Sequence, residues 1–303
     1  MTPTLVQHRQ DFQHRRHGGH DTAAQTAAHA SAAVAAARDW AEIQERMLAP
    51  LYEAVYERLE VGPGTRVLGL GCGSGLALLL AAARGASVTG VDTDCERLAL
   101  ARQRLDSAGD TGDGGDGGRV RAVLVEGEAA DAASAGPYDV ITAFHPIGCT
   151  AGDCEALVPE LEAAVRAAHR GAAVVLTGWG PPERCATSGV LRVARRLTER
   201  LRTGDGRPGG AWRPALRDDL EDVAAKAGLL PDGSGRVACP FGYADAGSAV
   251  RGLLSTGLYA EAVRATDQAQ VRKEIDEALG PHRRGDGTVW MPNVFRYLIT
   301  RTA

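Results

Sequence analysis

The residues best suited to holding a ligand are Arg66-Val67-Leu68-Gly69-Leu70-Gly71-Cys72-Gly73-Ser74-Gly75, an apolar strand running into a glycine loop that opens a helix at 76–84. Glycines at alternate positions let the backbone take positive φ and bring N–H groups against a bound molecule, and the helix N-terminus that follows makes the contact slightly positive. The spacing selects among ligands. A dinucleotide loop reads G-x-G-x-x-G, whereas Gly71, Gly73 and Gly75 place the third glycine one position early and put Leu76 where that loop has Gly. A dinucleotide oxidoreductase is therefore disfavoured. Asp92 follows Gly75 by 17 residues, near the offset of about 20 at which an acid accepts from both ribose hydroxyls. Asp94 is better placed to cap the next helix, which leaves Asp92 unengaged. The third candidate, His145, stands just past the fourth apolar strand, where open α/β sheets bind ligands. Its imidazole suits a general base; a pocket wall or an orienting hydrogen bond are the alternatives, and no partner acid is evident.

A parallel sheet is needed to bring these residues together. Apolar strands at 66–70, 86–92, 120–126, 137–144 and 172–178 alternate with helices at 76–84, 95–105 and 157–168. A helix at 216–227, a strand at 236–241 and a last strand at 293–300 follow. About fifty residues separate those two strands and include helical stretches at 247–255 and 258–279, a segment expected to form a lid at about 245–288. Upstream, Trp40, Ile43, Met47, Leu51, Val55 and Leu59 recur at helical spacing, with Pro50 starting a second helical segment. Trp40 and Gln44 are either core packing or a wall of the ligand pocket. Residues 1–37 lack large apolar periodicity and are expected to be a flexible extension, with 38–303 forming one domain. Its His14, His17 and His20 could share a helix face, but Gly18-Gly19 interrupts it and no metal site is expected. The aspartates of 107–118 fit no calcium loop, and the five arginines of 192–202 read as the solvated face of an amphipathic helix.

The glycine loop, with Asp92 and the order of elements over roughly 38–301, resembles the Rossmann-like (class I) S-adenosylmethionine (SAM)-dependent methyltransferases, in particular stand-alone bacterial enzymes of specialised metabolism that share the Asn-Val-Phe-Arg-Tyr-Leu ending. The resemblance implies a doubly wound, seven-stranded, mostly parallel α/β sheet with N-terminal helices and a helical lid inserted before the last strand. It implies SAM as cofactor, held by Gly71, Cys72, Gly73 and Gly75, by Asp92 and Thr93, by Glu128 and Ala129 in a G-[DE]-A turn, by Phe144 and by Trp40, with His145 as the catalytic candidate. His145, a single Pro146 and Ile147 depart from the motif of enzymes that methylate nucleobase amines. A second departure is Gly69, where family members usually carry an acid that helps fix the methionine end of SAM. Glu42 or Glu45 could compensate; otherwise the fold would serve as a non-catalytic or repurposed binding or regulatory protein.

Composition sets the outer bounds. The 303 residues, 44% of them apolar, suffice for one large domain, and a net charge of −4 argues against a nucleic-acid surface. Arginine dominates over Lys226 and Lys273, the only lysines, so arginine count alone is no signal. Cys72, Cys95, Cys149, Cys154, Cys185 and Cys239 form no C-x-x-C pair and are read as reduced cytoplasmic thiols. No stretch approaches the roughly 20 apolar residues of a membrane helix. The expected partner is a small-molecule acceptor, a natural-product intermediate, without nucleic acid or membrane; a homodimer is left open.

Overall fold

The computed structural model describes residues 27, 30–109, 122–200 and 213–303. Seven strands form one sheet: β1 (Arg66–Leu70), β2 (Ser87–Asp92), β3 (Ala122–Glu126), β4 (Tyr138–Ile147), β5 (Ala168–Trp179), β6 (Leu230–Ala238) and β9 (Val294–Arg301), in the order β3-β2-β1-β4-β5-β9-β6. The first five are parallel, and β9 runs antiparallel between β5 and β6. This is the doubly wound sheet expected. Alternate residues serve two cores: Val67, Val88, Val140 and Val175 face one side, while Leu68, Val91, Ile141 and Leu176 face the other. The first core takes in α1 (Ala49–Arg58) and α2 (Leu76–Ala83); the second lies under α4 (Asp153–Arg166) and α6 (Asp219–Lys226), with α3 (Cys95–Gly109) completing the β2–β3 crossover.

Several boundaries differ from the sequence reading: β5 begins at Ala168, the helix at 216–227 is shorter, and the helix expected at 258–279 is two. Three other differences have a local physical reason. Strand β4 continues through His145 to Ile147, but between Ala143 and Ile147 it advances four residues while β5 advances two, from Leu176 to Gly178. The resulting bulge, rather than a free loop, lifts Phe144, His145 and Pro146 off the ladder. Helix α4 begins at Asp153 because its Oδ2 accepts from the N–H groups of Gly148, Cys149 and Thr150, stitching the preceding turn to the helix. Strand β6 starts at Leu230, with a bulge between Pro231 and Gly233; an edge strand tolerates both residue types.

The cap over the strand ends has three sources. Residues 31–39 are helical, running unbroken across the 37/38 boundary, and pass into a π-helical turn at Trp40–Gln44 and a 3-10 turn at Glu45–Leu48 before α1, which has Pro50 in its first turn. After β5, α5 (Thr187–Arg200) buries Val190, Leu191, Val193, Ala194 and Leu197. Between β6 and β9, β7 (Phe241–Tyr243) pairs with β8 (Val289–Met291) and encloses α7 (Ala246–Ser255), α8 (Ala260–Ala265) and α9 (Gln268–Ala278). Helices α8 and α9 pack on α5, and α7 packs on the π turn. The N-terminal histidines, the aspartates of 110–118 and Arg202 lie outside the described residues.

Candidate active site

The glycine loop takes the conformation its composition allows. Gly71, Gly73 and Gly75 have φ of +57°, +57° and +79°, and a Cβ on Gly75 would stand 2.8 Å from Ala101 Cβ, so this glycine lets the loop lie against α3. Cys72 N–H donates to Val91 O at 3.0 Å, which ties the loop to the end of β2. Burial holds the Cys72 thiol far above its ordinary pKa, so it stays protonated and unreactive. Asp92 is not unengaged: Oδ2 accepts from Gly73 N–H at 2.7 Å and Oδ1 from Asp94 N–H at 2.9 Å, while Asp94 caps α3 through Glu96 and Arg97 N–H groups.

A cleft of about 410 Å³ opens beside the loop, lined by Gly71, Asp92, Thr93, Glu128, His145 and Glu160 among others. That volume falls in the range of small-molecule sites. Ala129 stands behind the wall, fully buried, its N–H taken by Glu160 Oε2 at 2.7 Å, and Glu128 caps the short 3-10 turn that Ala129 begins. The Gly127-Glu128-Ala129 turn therefore presents Glu128 to the cleft and keeps Ala129 away from it.

Residues 67–168, which contain the loop, Asp92, the turn and the β4 bulge, match the family described as "Methyltransferase domain". Over that third of the chain the similarity is to methyltransferases. No curated protein matches the chain at a significant level. Solved structures similar to it include the YcgJ protein of Bacillus subtilis (16% identity, covering 83% of this chain and 97% of that one, TM-score 0.49). Two others are magnesium protoporphyrin IX methyltransferase of Synechocystis with bound S-adenosylhomocysteine (13%, 85% and 82%, 0.47) and the cyclopropane synthase MmaA2 of Mycobacterium tuberculosis (14%, 82% and 82%, 0.46).

The residues around the glycine loop fit SAM. A Cβ at Gly71 would meet nothing within 4 Å, so the loop backbone is approachable from the cleft. Next to Gly73, the buried indole Nε1 of Trp40 has no hydrogen-bond partner, a donor that a ligand can satisfy. Position 69 is filled from elsewhere. Gly69 pairs in register with Gly90, and Leu78 reaches across both, its Cδ2 3.0 Å from where a Gly69 Cβ would sit. Of the two acids that could compensate, Glu45 is the one that reaches the loop, almost fully buried, with Ser74 Oγ and Arg104 donating to Oε2 and Leu76 N–H reaching Oε1 at 3.4 Å. Phe144 lies against Tyr52 and Tyr56, at ring separations of 4.7 and 5.5 Å, and forms the floor beneath the loop.

The β4 bulge aims His145 at the junction of the methyltransferase cleft and a second cavity. The imidazole remains open to the cleft, while protein encloses it on its other sides. That enclosure, then the Arg97 guanidinium, hold its pKa below the usual 6.5, against the upward pull of Asp153 and Asp92. Among the described residues none hydrogen-bonds to it. The second cavity, of about 30 Å³, is walled by Trp40, Leu48, Trp179, Leu191, Phe241 and Leu253 among others. Tyr243 stands behind it, edge-on against Phe241 and donating to Gln44 at 2.9 Å. Sequence reasoning missed Arg97, Arg104, Asp153 and Glu160; the i, i+7 spacing of the last two on one helix was the available signal.

Proposed function

We propose that this chain transfers a methyl group from SAM to a small, largely apolar acceptor, a natural-product intermediate, in the cytoplasm. The observation that carries the reading is the apolar cavity under the lid, which adjoins the methyltransferase cleft at His145 and contains no lining carboxylate, lysine or arginine. A polymer would need an open groove there; a compact metabolite suits a closed chamber. When bound, SAM supplies a sulfonium methyl open to in-line displacement. Gly71, Gly73, Asp92, Thr93 and Glu128 would hold it, and Cys72 and Ala129 support the loop and turn from behind. Trp40 stands between the pocket under the glycine loop and the acceptor chamber. His145, kept neutral by its surroundings, is able to take a proton from an acceptor hydroxyl or amine, and the aromatic walls exclude water. With only about 30 Å³ enclosed, the lid must move to admit an acceptor.

The filling of position 69 by Leu78 supports the second reading, a repurposed SAM fold that binds without catalysis. Calorimetric titration with S-adenosylhomocysteine, followed by incubation of methyl-labelled SAM with panels of apolar phenols and amines and detection by mass spectrometry, separates the two. Binding with label transfer supports the enzyme; binding without transfer to any acceptor favours the repurposed fold.

A further inference from the structure

Arg97 ties the wall of a pocket under the glycine loop to lid helix α7. It extends from the first turn of α3 with its guanidinium 4.6 Å above the Trp40 ring, and Nη2 donates to Ser255 O, at the C-terminal end of lid helix α7, at 2.8 Å. Its Nε is buried without a hydrogen bond; Asp94 Oδ2 lies 3.3 Å away but off the line of the N–H. Beside it Trp40 Nε1, also buried, has no partner either. Two unsatisfied donors, one of them cationic, thus face the same glycine-loop cavity that Gly71, Gly73 and Glu45 line. Such a pair is complementary to a carboxylate. The other end of the arrangement matters equally: Ser255 is flanked by Leu253, Thr256 and Leu258, all walls of the acceptor chamber. The Arg97 bond to Ser255 thus ties α3 to the segment that carries those walls.

We propose that Arg97 and Trp40 Nε1 form the carboxylate-binding corner for the amino-acid end of the cofactor, and that Arg97, on turning to that carboxylate, gives up its hold on Ser255 and releases the lid for the acceptor. A charge-assisted bond to a carboxylate is stronger than one to a neutral carbonyl, which supplies the direction of the exchange. The proposal rests on the reading of the cleft as a SAM site, and on Arg97 having two alternative partners within one side chain's reach.

The test compares S-adenosylhomocysteine with 5′-methylthioadenosine, which has the nucleoside but no amino-acid end. Hydrogen exchange of residues 246–258 should quicken about tenfold or more with S-adenosylhomocysteine and stay unchanged with methylthioadenosine. Arg97→Met should weaken S-adenosylhomocysteine about tenfold to hundredfold, leave methylthioadenosine within twofold, and make lid exchange fast without any ligand. Trp40→Phe, which keeps an aromatic ring in the core, should show the same selectivity with a smaller loss, and it serves if Arg97→Met does not fold. Equal weakening of both nucleosides, or identical lid exchange with both, overturns the proposal. Failure of the wild-type protein to bind either nucleoside overturns the cofactor reading itself, and the proposal with it.

Discussion

The two cavities that meet at His145 are built on opposite plans. The cleft beside the glycine loop draws on short contiguous runs at the ends of parallel strands: the loop after β1, Asp92 and Thr93 after β2, Gly127 and Glu128 after β3. The apolar cavity instead gathers single side chains from remote segments: Trp40, Gln44 and Leu48 before the sheet, Trp179 at the end of β5, Thr187 and Leu191 on α5, Phe241, Leu253 and Leu258 in the insertion, and Phe295 on β9. One, about 410 Å³, carries the carboxylates of Asp92, Glu128, Asp153 and Glu160 on its wall; the other, about 30 Å³, is lined by no carboxylate, lysine or arginine. A cofactor site fixed by backbone conformation can stay constant while the cap varies, so the two halves should fail separately when broken.

The largest effect is expected at the loop. Gly73 has φ of +57°, and a Cβ there would come within 3.0 Å of Trp40 Nε1 and 3.3 Å of Glu45 Oε1. Gly73→Val should lower stability by about 3 kcal/mol and abolish S-adenosylhomocysteine binding, read by thermal melting and calorimetry. A folded variant with intact affinity would reduce the loop to a tight turn. His145→Ala, at the junction, should leave cofactor affinity intact and cut turnover about 10²-fold if the imidazole acts as a base; a loss below about tenfold would assign the rate to positioning. Because the folded-state pKa of His145 lies below its ordinary value, the unfolded chain binds the proton first as pH falls through 6.5. The histidine's contribution to stability is therefore complete above that pH and declines below it, and melting curves of His145→Ala should lack that component. Asp92→Ala should weaken cofactor binding by about 2 kcal/mol, since the carboxylate both anchors Gly73 N–H and faces the cleft.

The same contrast explains what could be read in advance. The loop, the alternation of strands and helices along the chain and the acid at the end of β2 announce themselves because local spacing and apolar runs mark them. The β4 bulge does not, since it arises from a register difference with β5 that no local pattern encodes. Neither does the start of β6: Leu230-Pro231-Asp232-Gly233-Ser234-Gly235 has turn composition, and becomes strand only because β9 pairs with it and Tyr297 covers Gly235 closely enough that a Cβ would lie 2.4 Å from the ring. Arg97 is likewise invisible as a link. Its partners, Trp40 and Ser255, stand far away in sequence on either side.

Position 69 sharpens the comparison at smaller cost. Restoring the family's acid with Gly69→Asp should destabilise the protein by about 1 to 3 kcal/mol without raising cofactor affinity, because Leu78 occupies the space. Coupling the change to Leu78→Ala should recover part of any affinity the acid can supply, and a double-mutant cycle on S-adenosylhomocysteine binding reads the coupling. A gain in affinity from Gly69→Asp alone would mean that the loop yields more readily than its close packing implies.

The smallest effect is expected in the lid alone. Asp267 is the N-cap of α9, its Oδ1 accepting from Gln270 N–H at 2.8 Å, and it touches neither cavity. Asp267→Ala should cost the helix about 1 kcal/mol, the usual worth of such a cap. If the cap is an independent unit, the loss will be confined to faster hydrogen exchange in α9 and in α8 beside it, with α2 and S-adenosylhomocysteine affinity unchanged. Were α2 to exchange faster as well, or the nucleoside to bind more weakly, the lid and the glycine loop would open as one cooperative body, and the bond from Arg97 to Ser255 would be only one of several ties between them.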